Sequence, residues 1–555
     1  MKKRYLFSIL LLVCIGVAGF LFLQRDQQQP ITKSIDGETF KAPANSLVSL
    51  SPDVHIVSDD HTLEETNKSV QEKENATDTT YSFDVKSTKK IGELQLTVRE
   101  IDNGDQFVFT KFFNTTEKGA TLPFKIVFTN KPSYTHYSFE EEIAQEHDRV
   151  FGIDYTSNVK GVYSLTSEQP YQLFLSQNYI SKDLVEKYEN GEQSVLRELV
   201  NEDKYIDITD KKDTLTFNLK LRTTSENQFS ENWFLLSKEP LFSTEDEMSY
   251  YKNLTNDKFI KSPKWQTAVG TYTKLPWSVE PSTKVGYGRN LVYQQVEDVI
   301  QRYEETNERF YYDMLVNSVN YLFDFKGDAS IWKTEYTSTW LKRDYGIIAP
   351  YTDTRHNEKI ALFLSKAGAI LNNPEIQSSD LLYADFLSTQ EKIKNILPTD
   401  DGYYILDYYS EQQTKKTHVS LNHALGEMNF LFETYQNTDE QKYLDTALSI
   451  KNAVENTGTK WINPSNGDLW YQINGDYSFE GKDYDTLTLE DLIRGLKNYE
   501  ELQLPYDQDL YKTLMTSKIQ FLIDDELKIH TNLYNDLLAL GFGHLIKDYQ
   551  HVYSY

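Results

Sequence analysis

Between residues 421 and 435, Leu421, Ala424, Leu425, Met428, Leu431, Phe432 and Tyr435 fall at i, i+3, i+4, i+7, i+10, i+11 and i+14. That stripe of 3.6-residue period predicts a helix with one buried face. The same period predicts helices over 291–302, 310–323, 358–371, 379–395, 439–454, 488–501, 507–522 and 534–547. Three polar, aromatic loops interrupt them, at 333–357, 400–420 and 461–485. Loops of roughly 20–35 residues are functional or disordered, and their tyrosine and tryptophan content argues against disorder. Helical hairpins joined by such loops predict an α/α toroid over 289–555, with the loops gathered on one rim, rather than a solenoid.

Upstream the period changes. Residues 94–101, 122–128 and 215–221 alternate apolar and polar, and polar breaks such as Asn103-Gly104 separate them. This predicts an antiparallel β-sandwich over 81–225, interrupted by a helical insert near 182–200. Residues 226–288, with Trp233, Trp265 and Trp277, show no sustained period. They are expected as an irregular connector lying along the surface of the helical part. Residues 24–80 are rich in Gln, Ser, Thr, Asp and Glu and read as a disordered linker. Before them, Lys2-Lys3-Arg4 precedes an uncharged apolar run over 5–23. Such a run of about 19 residues is long enough to cross a bilayer. The basic flank orients it with the N-terminus in the cytoplasm and the bulk of the chain outside. The reading favours an uncleaved anchor over 1–23 to a cleaved signal peptide. The expected fold class is therefore a multidomain α+β chain: a transmembrane helix, a β-sandwich and a C-terminal α/α toroid.

A formal charge of -27 argues against a nucleic-acid partner, because a phosphate backbone needs a basic surface. The only cysteine, Cys14, lies in the apolar run, so no disulfide within the chain is possible. His356, His418 and His423 lack a second His or Cys at ligand spacing, and no Gly-rich phosphate loop or nucleophile elbow occurs. No metal or cofactor is expected. What remains is acids, tyrosines and arginines spread over three loops, an inventory suited to a polysaccharide, acidic or neutral; arginine would pair an acidic one's carboxylate. By charge, Arg343 or Arg355 is the candidate for that pairing, with Asp353 and His356 beside them.

Three stretches carry a resemblance. Leu406-Asp407-Tyr408-Tyr409-Ser410 is followed by Ser420-Leu421-Asn422 at the entry to the helix ending Leu431-Phe432-Glu433-Thr434-Tyr435. Asn466-Gly467-Asp468-Leu469-Trp470-Tyr471 and Asp483-Tyr484-Asp485-Thr486-Leu487-Thr488-Leu489 come after it. Together, over 402–502, they resemble the C-terminal domain of D-glucuronyl 5-epimerases of heparan and heparosan type. The resemblance implies an isomerase that inverts carbon 5 of a uronic acid. One group removes the proton and another returns it from the opposite face. It places Tyr408 or Tyr409, Tyr471 and Tyr484 in the acid–base positions, Asp407 as supporting acid and Asn422 at the cleft. The chain departs from the family where Asp485 and Thr488 stand in place of two histidines and His423 in place of a glycine. Asp485 sets a negative charge beside the expected anionic substrate.

Two other readings compete. A polysaccharide lyase or glycoside hydrolase would draw its carboxyls from Asp353, Asp407 and Asp485. A non-catalytic glycan-binding or assembly factor would use the toroid as a docking platform.

Overall fold

The computed structural model describes residues 42–258 and 261–553. The expected anchor lies outside the described residues, as does the first part of the expected linker. Among the described residues no helix is long and apolar enough to cross a membrane.

Strands begin at Ser46–Ser49 and continue to Gly286–Gly288, so the β part is much larger than the predicted sandwich. Its main element is a thirteen-stranded antiparallel sheet, with Gln106–Asn114, Gln228–Ser237 and Asn178–Lys187 adjacent near its middle. A second sheet of five strands, among them Thr121–Phe128 and Leu215–Arg222, covers one face of it. Helices cover the other. Alternation along the shared strands makes this three-layer stacking legible. Val108, Phe112, Phe234 and Leu236 point into the core between the sheets. Phe107, Phe109, Trp233 and Leu235 point the opposite way, into a core they share with Phe310, Met314 and Leu315 of the helical part.

The fold-class expectation is thus corrected. The chain is not a sandwich tethered to a separate helical ring, because one apolar core runs from the large sheet into the helices. A buried polar joint fixes the contact. Arg99 forms a bidentate pair with Asp78 at 2.8 Å and donates to Asn317 Oδ1 at 2.9 Å, across to the helix. The expected linker is corrected as well. Thr62–Lys73 and Ala76–Lys86 form a long hairpin that turns at Asn75, whose φ is +52°. The first strand is exposed along nearly its whole length, so it has no apolar face to betray it; the ladder holds it, with Leu63 packed on the core and Lys73 paired with Asp324 of the helical part. The helical insert expected near 182–200 is also a hairpin, Asn178–Lys187 with Gln193–Asp203. The connector contains the fully buried strand Gln228–Ser237 and a helix, Glu245–Asp257.

The helical part is built from α1 (Arg309–Lys326), α2 (Thr354–Ile370), α3 (Leu381–Ser388), α4 (Leu421–Thr438), α5 (Gln441–Thr457), α6 (Leu487–Glu501) and α7 (Gln508–Asp524). Helix α4 is central and packs on α2, α5 and α6. Every residue from 421 to 432 is buried, including the polar Asn422, His423, Glu427 and Asn429. Small sheets stitch the loops together at one end. Thr352–Asp353 pairs with Tyr408–Tyr409, and Val419–Ser420 pairs with Trp470–Ile473. These strands lead directly into α2 and α4, so the two helix N-termini meet at the end where the loops converge.

Candidate active site

Asp407 is the floor of this end. Its side chain is fully buried and accepts hydrogen bonds from the backbone N–H of Ser420, at 2.8 Å, and from the Ser420 hydroxyl. Ser420 holds the N-cap position of α4, yet its hydroxyl turns to Asp407 instead of capping the helix. The carbonyl of Asp407 accepts the Thr354 N–H at 3.0 Å, which ties the floor to the start of α2. Two imidazoles flank the carboxylate. His418 Nε2 lies 3.3 Å from Oδ2, and His423 Nδ1 lies 3.8 Å from Oδ1. Burial by itself would raise the Asp407 pKa. The His423 and His418 rings and the Ser420 hydroxyl overcome that and hold it below the usual carboxylate range.

The line continues outward. His418 Nδ1 meets the Tyr345 hydroxyl at 2.8 Å, giving a phenol, an imidazole and a carboxylate in sequence. Trp340 packs across the imidazole of His418 and edge-on to Tyr408. Tyr471 is 6.0 Å from the His418 ring and 5.9 Å, edge-on, from Tyr484, which is half exposed. All these phenols are held neutral at physiological pH. Burial pushes Tyr408 and Tyr471 well above the usual range, with Asp353 and Asp407 respectively adding to it. Tyr484 moves the same way through burial and then Asp353. Tyr345 is pushed up to about 12 by burial, with Asp344 and Asp407 reinforcing it.

Asp353 accepts the His356 N–H at 3.0 Å and so caps α2, while His356 Nε2 stands 3.5 Å from its other oxygen. Burial lowers the His356 pKa and favours the neutral ring.

Several residues expected at the site lie elsewhere or are otherwise engaged. Tyr409 alternates with Tyr408 along a strand and so faces the other way, toward Phe386 of α3. Arg343 is exposed and pairs with its neighbour Asp344. Asp485 is exposed and lies 3.6 Å from Lys482. Arg355 points into the helices, where it pairs with Glu358 and Asp491 at 2.7 and 3.0 Å and donates to the Asn422 carbonyl at 3.1 Å. Asn422 thereby contributes its backbone. Lys518 of α7 is buried between Asp468 and Asp483 and donates to the Tyr484 carbonyl at 2.8 Å, which fixes the loop carrying that tyrosine.

Sequence reasoning missed Trp340, Tyr345, His418 and His423 as site residues. A signal for the histidines was present. They bracket the strand-to-helix junction at Ser420, and both reach back to one carboxylate.

Gly426 shows how tightly α2 and α4 cross. A Cβ there would overlap the Arg355 guanidinium and the Glu358 carboxylate. Alanine in a helix interior is ordinarily favoured over glycine by about 1 kcal/mol. Here Gly426→Ala is expected to destabilise instead, by about 1–3 kcal/mol, read as a lower urea midpoint.

No protein-family model matches the chain, and no curated protein matches it. Solved structures similar to it include a family 76 glycoside hydrolase from a bovine Bacteroides thetaiotaomicron strain, at 11% identity and TM-score 0.36 over 77% of each chain. The cellobiose 2-epimerase from Spirochaeta thermophila aligns with 46% of this chain and 65% of its own, at 10% identity and TM-score 0.35. A D-mannose isomerase aligns with 50% of this chain and 68% of its own, at 13% identity and TM-score 0.33. These neighbours are, by name, enzymes that act on sugars. The likeness is too loose to carry any residue role across.

Proposed function

We propose that this loop-bearing end of the helices performs epimerase-type proton transfer on a sugar, removing and returning a proton at a carbon beside a carbonyl or carboxyl group. The observation that carries the reading is the line Tyr345–His418–Asp407, with contacts of 2.8 and 3.3 Å. A phenol is a weak base until it loses its proton. With its pKa pushed up to about 12, Tyr345 acts as base only as its proton passes to His418 in the same step, and the buried carboxylate stabilises the imidazolium that forms, the logic of an activated hydroxyl with a positioned base. Tyr471 and Tyr484, neutral phenols on a neighbouring loop, are the proton donors. Aromatic walls formed by Trp340, Tyr408 and Tyr471 suit the apolar face of a pyranose.

Glycoside hydrolysis is less well served. It needs two available carboxyls across the bond. Asp407 is sealed beneath Ser420 and the histidines, Asp353 caps α2, and Asp485 pairs at the surface. On the choice of sugar, buried Lys518 and the partly buried Arg355 and Arg494 are each paired with two carboxylates. A uronate, the substrate the sequence resemblance implies, would bring its charge near Asp353 and Asp407, and these three cations are already engaged. A neutral sugar incurs no such cost.

The test is solvent exchange. The purified chain is incubated in deuterated water with a glucuronate polymer and, in parallel, with a neutral glycan. Deuterium is expected at a ring or chain carbon of one of them, without new reducing ends. Tyr345→Phe and Tyr484→Phe should each slow incorporation by about 10²–10⁴-fold, whereas Tyr409→Phe should leave it unchanged. No incorporation with either glycan, or new reducing ends in its place, would overturn the proposal.

A further inference from the structure

A second carboxyl in the centre of α4, Glu427, takes no part in the relay. It lies one turn beyond His423 on the same face of the helix. It is 1% exposed, and neither of its oxygens has a hydrogen-bond partner of good geometry. Thr354, Glu358 and Arg355 face it from α2, Tyr383 from α3 and Asp407 from the floor. Arg355 is already committed to Glu358 and Asp491. An ionised carboxylate among these groups would be buried without compensation, and the neutral acid is the form such a setting allows. Burial drives its pKa well above the usual range; the Thr354 hydroxyl opposes this, and the charges of Asp407 and Glu358 add to it.

The buried Thr354 hydroxyl links this acid to His423, with its Oγ1 2.8 Å from His423 Nδ1. We infer that Glu427 is a positioning residue: as a neutral acid it donates to Thr354 Oγ1, Thr354 in turn donates to His423 Nδ1, and His423 is fixed with its proton on Nε2. It is so fixed against the pull of Asp407 Oδ1, which at 3.8 Å favours a proton on Nδ1. An ionised Glu427 would reverse both bonds. It would accept from Thr354, whose oxygen would then accept from Nδ1–H. The tautomer decides whether the His423 ring, 6.1 Å from that of Tyr408, carries a donor or an acceptor on Nε2. Through this chain a carboxyl with no direct access to substrate sets the polarity of a cleft residue.

The inference stands apart from the proposed activity, because its test reads the imidazole itself. The full chain is labelled with 15N-histidine, the His423 signals are assigned by their loss in His423→Gln, and spectra are recorded at mildly alkaline pH. The Nε2–H tautomer is expected in the wild type and in Glu427→Gln, whose amide supplies the same donor. Glu427→Met, similar in shape but without a donor, should shift His423 to Nδ1–H. An Nδ1–H signal in the wild type, or Nε2–H retained in Glu427→Met, would overturn the inference. Should Glu427→Met fail to fold, infrared spectra of the wild type and Glu427→Gln decide. Asp313 and Asp491 are also buried acids with raised pKa values, so the readout is the difference between the two spectra. A carbonyl stretch of a protonated carboxylic acid must be present in the first and missing from the second, and its absence from that difference also overturns the inference.

Discussion

Asp407→Asn is expected to slow deuterium incorporation by about 10²–10⁴-fold while the chain remains folded. The amide oxygen can still accept from the Ser420 N–H, so the α4 entry keeps one of its two ties. The other side of the amide presents N–H₂ to His418 Nε2 in place of a carboxylate. His418 then lowers its energy by accepting from the amide and moving its own proton to Nδ1, where Tyr345 needs an acceptor. The relay is thus reversed without a change of shape, and the imidazolium also loses its counter-charge. The stability cost should be modest, about 1–3 kcal/mol, from the Ser420 hydroxyl and the imidazole contacts. Its pH dependence has a defined sign. The folded-state pKa of Asp407 is depressed, so the stabilisation is fully present above the unfolded carboxyl pKa of about 4 and is lost only as pH falls through the lower folded value. Wild-type turnover in Asp407→Asn, with Tyr345→Phe inactive, would remove the carboxylate from the relay.

What was legible follows from which faces the chain buries. Helix α4 shows one clear stripe because α2, α5 and α6 pack on its apolar residues. The strands Thr121–Phe128 and Leu215–Arg222 show alternation because they cover the large sheet with one face only. Gln228–Ser237 gave no such sign. It is buried on both faces, and its Glu231 and Asn232 meet polar partners inside, Glu231 accepting from Trp265 Nε1 at 3.2 Å and Asn232 donating to Ser176 Oγ at 3.0 Å. Thr62–Lys73 failed for the opposite reason, being polar and exposed along nearly its whole length. In the site, the resemblance to the epimerases singled out Asp407, Tyr408, Tyr471 and Tyr484, which lie together at one end of the helices. Strand parity then divided Tyr408 from Tyr409, and that parity depends on a two-residue pairing with Thr352–Asp353 that no local pattern reveals. Arg355 was legible as a charge but not in its direction. Sequence distance hides that Asp491, 136 positions away, had already claimed it.

Arg355 therefore supports a prediction about stability. Arg355→Met is expected to destabilise the chain by about 3–5 kcal/mol, since it removes the cation between Glu358 and Asp491 and leaves both acids buried. Arg494 still reaches Glu358 at 2.9 Å, so Asp491 is the group left without compensation. Asp491 is strained even in the wild type. Burial pushes its pKa up to about 7, against the pull of Arg355. A raised folded-state value means that its contribution is fully present below the unfolded pKa of about 4 and is lost as pH rises through 7. Without Arg355 the folded value climbs further, so the deficit of the variant should be smallest near pH 5 and grow toward pH 8. Adding Asp491→Asn to Arg355→Met should recover part of the loss and flatten its pH dependence, because a neutral amide needs no counter-ion. Urea midpoints at the two pH values, for the single and double variants, measure this directly. A deficit independent of pH and unaffected by Asp491→Asn would mean that Arg355 acts through its packed alkyl stem rather than through its charge. In that case the crossing of α2 and α4 at Gly426 would be held by shape alone.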